Sequence, residues 1–222
     1  MRKDQQAEIE WRDGVPVSRQ FDDPYFSMQD GLAETNHVFL AGNDVPNRFR
    51  DGFRIAELGF GTGLNALAAW QSWLQAKIPG QLRFTSFEAF PMSPEDMAQA
   101  LAHYPTLAVL SDQLIEAWRS GTELHTDTFH LQVILGDARK TLPDWTDKAD
   151  AWFLDGFAPA NNPQMWGDDM MHQVARHTNP GGSFATYTAA GAVRRALQAA
   201  GFQVERRTGF GRKRHMTVGV LK

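Results

Sequence analysis

The stretch Ile55–Trp70, IAELGFGTGLNALAAW, reads as a strand, a turn and the start of a helix. Phe53–Leu58 has a buried-strand pattern, and Leu64–Ala76 continues as a helix. Between them, glycines at 59, 61 and 63 let the chain turn tightly and bring backbone N–H groups against a ligand with no Cβ in the way. A strand–glycine turn–helix unit of this kind opens nucleotide-type cofactor sites in open α/β sheets. What remains to be read is which cofactor.

The same alternation runs through the rest of the chain. Leu82–Phe87, Leu131–Leu135, Ala151–Leu154 and Ser183–Thr186 read as strands, the last entered by an Asn179-Pro180-Gly181-Gly182 turn. Helices are expected at Pro94–His103, opened by Ser93 as N-cap, at Leu107–Trp118, at Pro163–His177 and at Ala190–Ala200, closed by Gly201. Phe202–Arg207 and His215–Leu221 are two adjacent strands that close the chain as a hairpin. The pattern predicts a mainly parallel seven-stranded sheet, covered on both faces and ending in an antiparallel hairpin. Residues 1–50 differ: IEWRDGVPVS reads as a hairpin turning at Asp13-Gly14, and an irregular aromatic and acidic segment follows. The expected organisation is a hairpin and lid-like segment over 1–50, packed on a main domain over 51–222.

Composition sets bounds on function. The 222 residues are 42% hydrophobic and 22% charged, which suits one α/β domain with a sizeable core. There is no cysteine, so disulfides and thiolate metal sites are excluded. No signal-peptide core and no apolar run of about 18 residues occurs, and a cytoplasmic protein is the expectation. Net charge is −4, yet Arg206, Arg207, Arg212, Lys213, Arg214 and His215 cluster near the C-terminus, a local patch able to hold phosphates.

In such sheets ligands sit at the carboxyl ends of the strands. The residues there are Glu57 with the glycines, Glu88, Asp137 and Asp155. A dinucleotide fingerprint has Gly-x-Gly-x-x-Gly and a ribose-binding acid about 20 residues on. Here the spacing is Gly-x-Gly-x-Gly, Glu88 lies further along, and Glu57 precedes the glycines, where it would repel a pyrophosphate. A cationic cofactor without phosphate, S-adenosylmethionine, fits better. Glu88 has the oxygens to accept both ribose hydroxyls, and Asp137 with the Ala138 N–H can read the adenine edge. Asp155, in DAWFLDGFAPANNPQMW, would then stand beside the methyl group. A carboxylate there orients an amine acceptor and relieves its growing positive charge, with Phe157 and Pro159 as an apolar wall.

These residues also carry a resemblance. ELGFGTGLN, DAWFLDGFAPANNPQMW and GFGRKRHM, preceded by DDPYFSMQDGLAET, resemble the methyltransferase domain of the bifunctional tRNA 5-methylaminomethyl-2-thiouridine biosynthesis proteins, from about Phe21 to the C-terminus. The resemblance implies a Rossmann-like class I methyltransferase fold and S-adenosylmethionine-dependent methylation of the exocyclic amine of 5-aminomethyl-2-thiouridine at the tRNA wobble position. On this chain it implies cofactor binding by Glu57, Gly59, Gly61, Gly63, Glu88, Asp137 and Ala138, with Asp155 at the amine and Phe157 near the uracil. Tyr25, Phe26, Asp30 and Glu34 would fold over the pocket, and Arg206, Arg207, Lys213 and Arg214 would meet tRNA phosphates. The bifunctional proteins carry an FAD-dependent oxidase as well. No second glycine fingerprint occurs here, so no FAD is expected in this chain; the oxidase, fused or associated, would be a partner. A stand-alone enzyme and an excised domain are both compatible with this sequence. Competing readings are a class I methyltransferase acting on a small-molecule or protein amine, a dinucleotide-dependent oxidoreductase, and an RNA-binding module without catalysis.

Overall fold

The computed structural model describes residues 6–27 and 30–222. Met28 and Gln29, within one of the resembling stretches, lie outside the described residues. The glycine unit forms as expected: β4 (Arg54–Leu58) runs into the turn, and α2 spans Leu64–Ala76. β5 (Leu82–Glu88), β7 (Phe129–Leu135), β8 (Ala149–Leu154) and β9 (Thr178–Thr186) are parallel to it, directly or through a neighbour. β10 (Phe202–Thr208) and β11 (His215–Leu221) form the terminal antiparallel hairpin, with β11 paired to β9.

Among the described residues the sheet has eight strands rather than seven, in the order β10-β11-β9-β8-β4-β5-β7-β6, where β6 is Glu123–His125. The addition is β6, a three-residue edge strand antiparallel to β7. From β4 the order runs outward through β5 and β7, then returns to β8 and β9 on the other side. The reversal falls between β4 and β8, so the crevice at their carboxyl ends is where a ligand site is expected.

Two hydrophobic layers hold the sheet. Strand parity assigns residues to them: Ile55, Phe84, Ala151 and Phe153 join the layer under α2, while Ala56, Leu58, Phe87, Trp152 and Leu154 join the opposite one. The first layer is dense in aromatics, including Trp70 stacked on Phe129 at 4.8 Å and Phe49 edge-on to Trp73 at 5.1 Å. Each such fully buried side chain contributes on the order of 2–3 kcal/mol through burial. Helices α3 (Pro94–Leu101) and α4 (Ala108–Ser120) cover this side, and Ser93 caps α3 by accepting from the Asp96 N–H. α6 (Asp168–Arg176) and α7 (Gly191–Ala199) cover the other. α5 (Ala138–Thr141) is a single turn after β7.

Two segments differ from expectation. The helix expected over Pro163–His177 is divided at Gly167 into a 3-10 turn (Pro163–Trp166) and α6. The Asn179–Gly182 turn is absorbed into β9, which starts at Thr178 and carries a register shift against β8. Such a bulge lets Pro180 sit in a strand without breaking the ladder.

At the N-terminus, β1 (Ile9–Arg12) and β2 (Val15–Ser18) form the expected hairpin, with Asp13 and Gly14 both at positive φ. A third strand, β3 (Asp23–Pro24), pairs with β2. Beyond it, α1 (Gly31–Thr35) leads through a π-type turn (Asn36–Leu40) into a 3-10 turn. Val38, Phe39, Leu40, Val45 and Phe49 belong to the same core cluster as Ile55 and Trp73, so the core extends across residue 50.

Candidate active site

The carboxyl ends of β4, β5, β7 and β8 open into a cavity of about 580 Å³. One wall is the glycine turn. Gly59 has φ +91°, and a Cβ there would lie 2.7 Å from the Asp155 carbonyl oxygen, so the turn and the end of β8 meet backbone to backbone. Gly61, at φ +55°, faces the Tyr25 ring and donates its N–H to Glu88 Oε2 at 3.0 Å. Glu88 Oε1 accepts from the Phe90 N–H at 2.7 Å. Both oxygens keep lone pairs for further donors, and Glu88 lines the cavity. Asp137 and Ala138 line the same end. Asp137 caps α5 and holds the Arg139 guanidinium, which draws its carboxyl below the usual range.

Asp155 stands across from them. Strand parity puts it on the side of Phe153, and Glu57 and Ser86 share that side of the sheet. All three converge on the first turn of α2. Asn65 Nδ2 donates to Asp155 Oδ2 at 2.6 Å and to Glu57 Oε1 at 2.9 Å. Ser86 Oγ donates to Glu57 Oε2 at 2.7 Å, and Asn65 Oδ1 accepts from Thr35 Oγ1 at 2.7 Å. Burial pushes the Asp155 carboxyl up to about 7, opposed by the Asn65 hydrogen bond. Burial likewise raises Glu57 well above the ordinary carboxylate range.

Over this end lies an aromatic cover built by the three-stranded N-terminal sheet. The Tyr25 N–H donates to the Pro16 carbonyl, and Asp23 Oδ2 accepts from the Ala158 N–H at 2.7 Å. Phe21 stacks on Phe157 at 4.7 Å, and Tyr25 meets Phe157 edge-on at 5.1 Å. Glu34, Tyr187 and Lys213 complete the rim.

The residues singled out in the sequence therefore fall into two groups. Gly59, Gly61, Glu88, Asp137, Ala138, Asp155, Phe157, Tyr25, Phe26, Glu34 and Lys213 line the cavity. Glu57, Gly63, Pro159, Asp30, Arg206, Arg207 and Arg214 are not among its lining residues. Glu57 is fully enclosed and faces Asn65 and Ser86; Gly63 sits at the N-cap of α2. Asp30 caps α1 through the Ala33 N–H, and Arg206, Arg207 and Arg214 are exposed on the terminal hairpin. Lys213, grouped with those arginines in the sequence, instead reaches the cavity mouth. Asn65 was missed. Its signal was available, for it is the one polar residue in the otherwise apolar run Leu64–Trp70.

A profile of the family described as S-adenosyl-L-methionine-dependent methyltransferase matches residues 103–222 of this chain. The chain belongs to that family. Among curated proteins, the tRNA 5-methylaminomethyl-2-thiouridine biosynthesis bifunctional protein MnmC of Chromobacterium violaceum is 46% identical over 230 aligned positions, covering 96% of this chain and 34% of that protein. The chain thus spans about a third of that relative's length. The crystal structure of MNMC2 from Aquifex aeolicus superposes on the whole chain and 72% of that one, with TM-score 0.76 and 26% identity. TrmN from Thermus thermophilus shares the fold, with TM-score 0.54 at 18% identity over 93% of this chain and 53% of that one.

The cavity fits the cofactor of this family. The Gly61–Glu88 corner offers a carboxylate with free lone pairs beside a Cβ-free backbone, and the two cations lining the cavity, Arg139 and Lys213, are each paired with a carboxylate, Asp137 and Glu34. No helix among the described residues is long and apolar enough to cross a membrane.

Proposed function

We propose that the chain methylates the exocyclic amine of 5-aminomethyl-2-thiouridine at the tRNA wobble position, giving 5-methylaminomethyl-2-thiouridine. The carrying observation is the pairing of two ends in one cavity. Glu88 and the glycine turn stand at the first, and Asp155, hydrogen-bonded to Asn65 under an aromatic cover, stands at the second. The 46% identity to the MnmC relative supports this choice of acceptor over a small-molecule or protein amine.

In this reading Glu88 accepts from the ribose hydroxyls, and Asp137 with the Ala138 N–H reads the adenine. Bound there, S-adenosylmethionine supplies an electrophilic methyl group on a sulfonium centre. Glu57 acts at one remove: with Ser86 it fixes Asn65, and Asn65 holds Asp155. Asp155 takes a proton from the entering ammonium, which frees the nitrogen lone pair to face the methyl carbon; the carbon–sulfur bond breaks as the N–C bond forms, and the product leaves as a secondary ammonium. Phe157, backed by Phe21 and Tyr25, offers a face for a flat ring. Within residues 1–50 the segment 21–26 acts as the cover, while Val38, Phe39, Leu40, Val45 and Phe49 pack into the core of the methyltransferase domain over 51–222.

Charge on Asp155 sets the pH dependence. Its carboxyl is raised to about 7, so it is neutral below that pH and unable to take a proton. Activity should rise with pH through about 7 and fall about tenfold per unit below it. Initial rates from pH 5.5 to 9 check this; a flat acid limb contradicts it.

Arg206, Arg207 and Arg214 would contact tRNA phosphates around the flipped-out base. Replacing all three by Glu should weaken tRNA binding by about tenfold or more and lower the salt slope by about 2–3. Filter binding across salt concentrations reads both. A cytoplasmic setting and an FAD-dependent oxidase beyond this chain's residues accompany this proposal. Its test is incubation with methyl-labelled S-adenosylmethionine and tRNA bearing the free aminomethyl group, followed by nucleoside analysis. Labelled 5-methylaminomethyl-2-thiouridine supports it, and unlabelled tRNA overturns it.

A further inference from the structure

Lys213 is held in two ways at the cavity mouth. Its Nζ lies 2.9 Å from Glu34 Oε1 and 4.1 Å from the centre of the Tyr187 ring. The Glu34 side chain is only 12% exposed, whereas that of Lys213 is 48% exposed. Tyr187 is itself fixed, its hydroxyl donating to the Gly156 carbonyl at 2.7 Å, one residue from Asp155. Asp23, Glu34 and Asp155 all line this end of the cavity, and each of the other two carboxylates raises the Asp155 carboxyl while Lys213 lowers it. Three carboxylates thus face one ammonium group. The loop that carries Lys213 is secured separately, by His37 Nε2 against the Thr208 carbonyl at 3.0 Å and by the Gly209 N–H to Arg214 carbonyl bond.

We propose that Glu34 is a second acceptor-binding carboxylate and that Lys213 is its resting partner: the acceptor's ammonium takes Lys213's place on Glu34 and over the Tyr187 ring, and the lysine swings outward. The inference rests on the amine acceptor proposed above. A half-exposed ion pair contributes little, because water competes for both charges. An ammonium drawn deeper, between Glu34 and Asp155 and against the same aromatic face, is more fully desolvated and interacts more strongly with both. The flexible lysine stem can leave while its loop stays pinned. The exchange selects acceptors by charge, since a neutral hydroxymethyl group at the same place cannot displace Lys213 from Glu34.

Steady-state rates with aminomethyl-bearing tRNA test the exchange in the full chain, with S-adenosylhomocysteine affinity and melting temperature measured on each variant. Glu34→Gln should raise the acceptor KM by about tenfold or more, with kcat within about threefold and cofactor affinity unchanged. Lys213→Met should lower the acceptor KM, because nothing then has to be displaced. A KM for Lys213→Met that is unchanged or raised overturns the proposal, the raised value marking Lys213 as a phosphate contact. So does a Glu34→Gln variant whose KM is unchanged or whose cofactor affinity falls in parallel. If the unsubstituted chain transfers no methyl to the amine, the functional reading fails and this inference falls with it; wild-type activity with unmoved KM values defeats the exchange alone.

Discussion

Asp155→Asn should reduce kcat for methyl transfer by about 10²–10⁴, the range spanned by a positioned acid or base, while cofactor affinity changes less than threefold. The asymmetry follows from placement. Asp155 closes one end of the cavity through Asn65, and Glu88 with the glycine turn closes the other. Asparagine keeps the volume and one oxygen for Asn65 but can neither take a proton nor balance an ammonium. The substitution should also stabilise the fold at pH 8. A carboxyl whose folded pKa is about 7 binds its proton more tightly in the native state than in the unfolded chain. Such a group costs native stability at any pH above its unfolded value, with the full cost present above 7. Lower activity with a higher melting temperature is the combined signature expected of a functional group held at a stability cost. Equal loss of cofactor affinity and turnover would refute the division of the site.

The second large effect concerns the other end. Glu88→Ala should weaken S-adenosylhomocysteine binding by about 10²-fold, since it removes the acceptor proposed for the ribose diol and also leaves the Gly61 and Phe90 N–H groups without their partner. Glu88→Gln should weaken it less, by about tenfold, because an amide keeps one acceptor oxygen. Calorimetric titration measures both. An unchanged dissociation constant for Glu88→Ala would remove Glu88 from the cofactor site.

Much of this arrangement was legible in the sequence because backbone geometry dictates it. The glycine triplet admits few readings, and α2 spans the residues that its pattern predicts. Strand ends in a parallel sheet gather at one edge, which is why Glu88, Asp137 and Asp155 share one cavity. The less legible parts depend on side-chain direction and on weak local signals. Position alone points Glu57 at the cofactor; parity turns it under α2, where Asn65 and Ser86 each donate to one of its oxygens and it lies outside the cavity lining. Asn65 stands out as the one polar residue of Leu64–Trp70, but its role needs Glu57 and Asp155 on the same side of the sheet. Lys213 belongs to a basic run whose composition cannot say which member faces inward; the turn bonds of the β10–β11 loop and the Glu34 carboxylate decide that. β6 is too short for periodicity to report, and the break at Gly167 is a local effect inside an otherwise helical pattern.

A structure of the chain with S-adenosylhomocysteine bound tests the central claim most directly, because the claim is one of geometry. The two-ended cavity predicts the ribose diol on Glu88, the adenine edge at Asp137 and Ala138, and the sulfur directed toward Asp155 beneath Phe157. A ligand whose sulfur points away from Asp155, or whose ribose is held by groups other than Glu88, would contradict it.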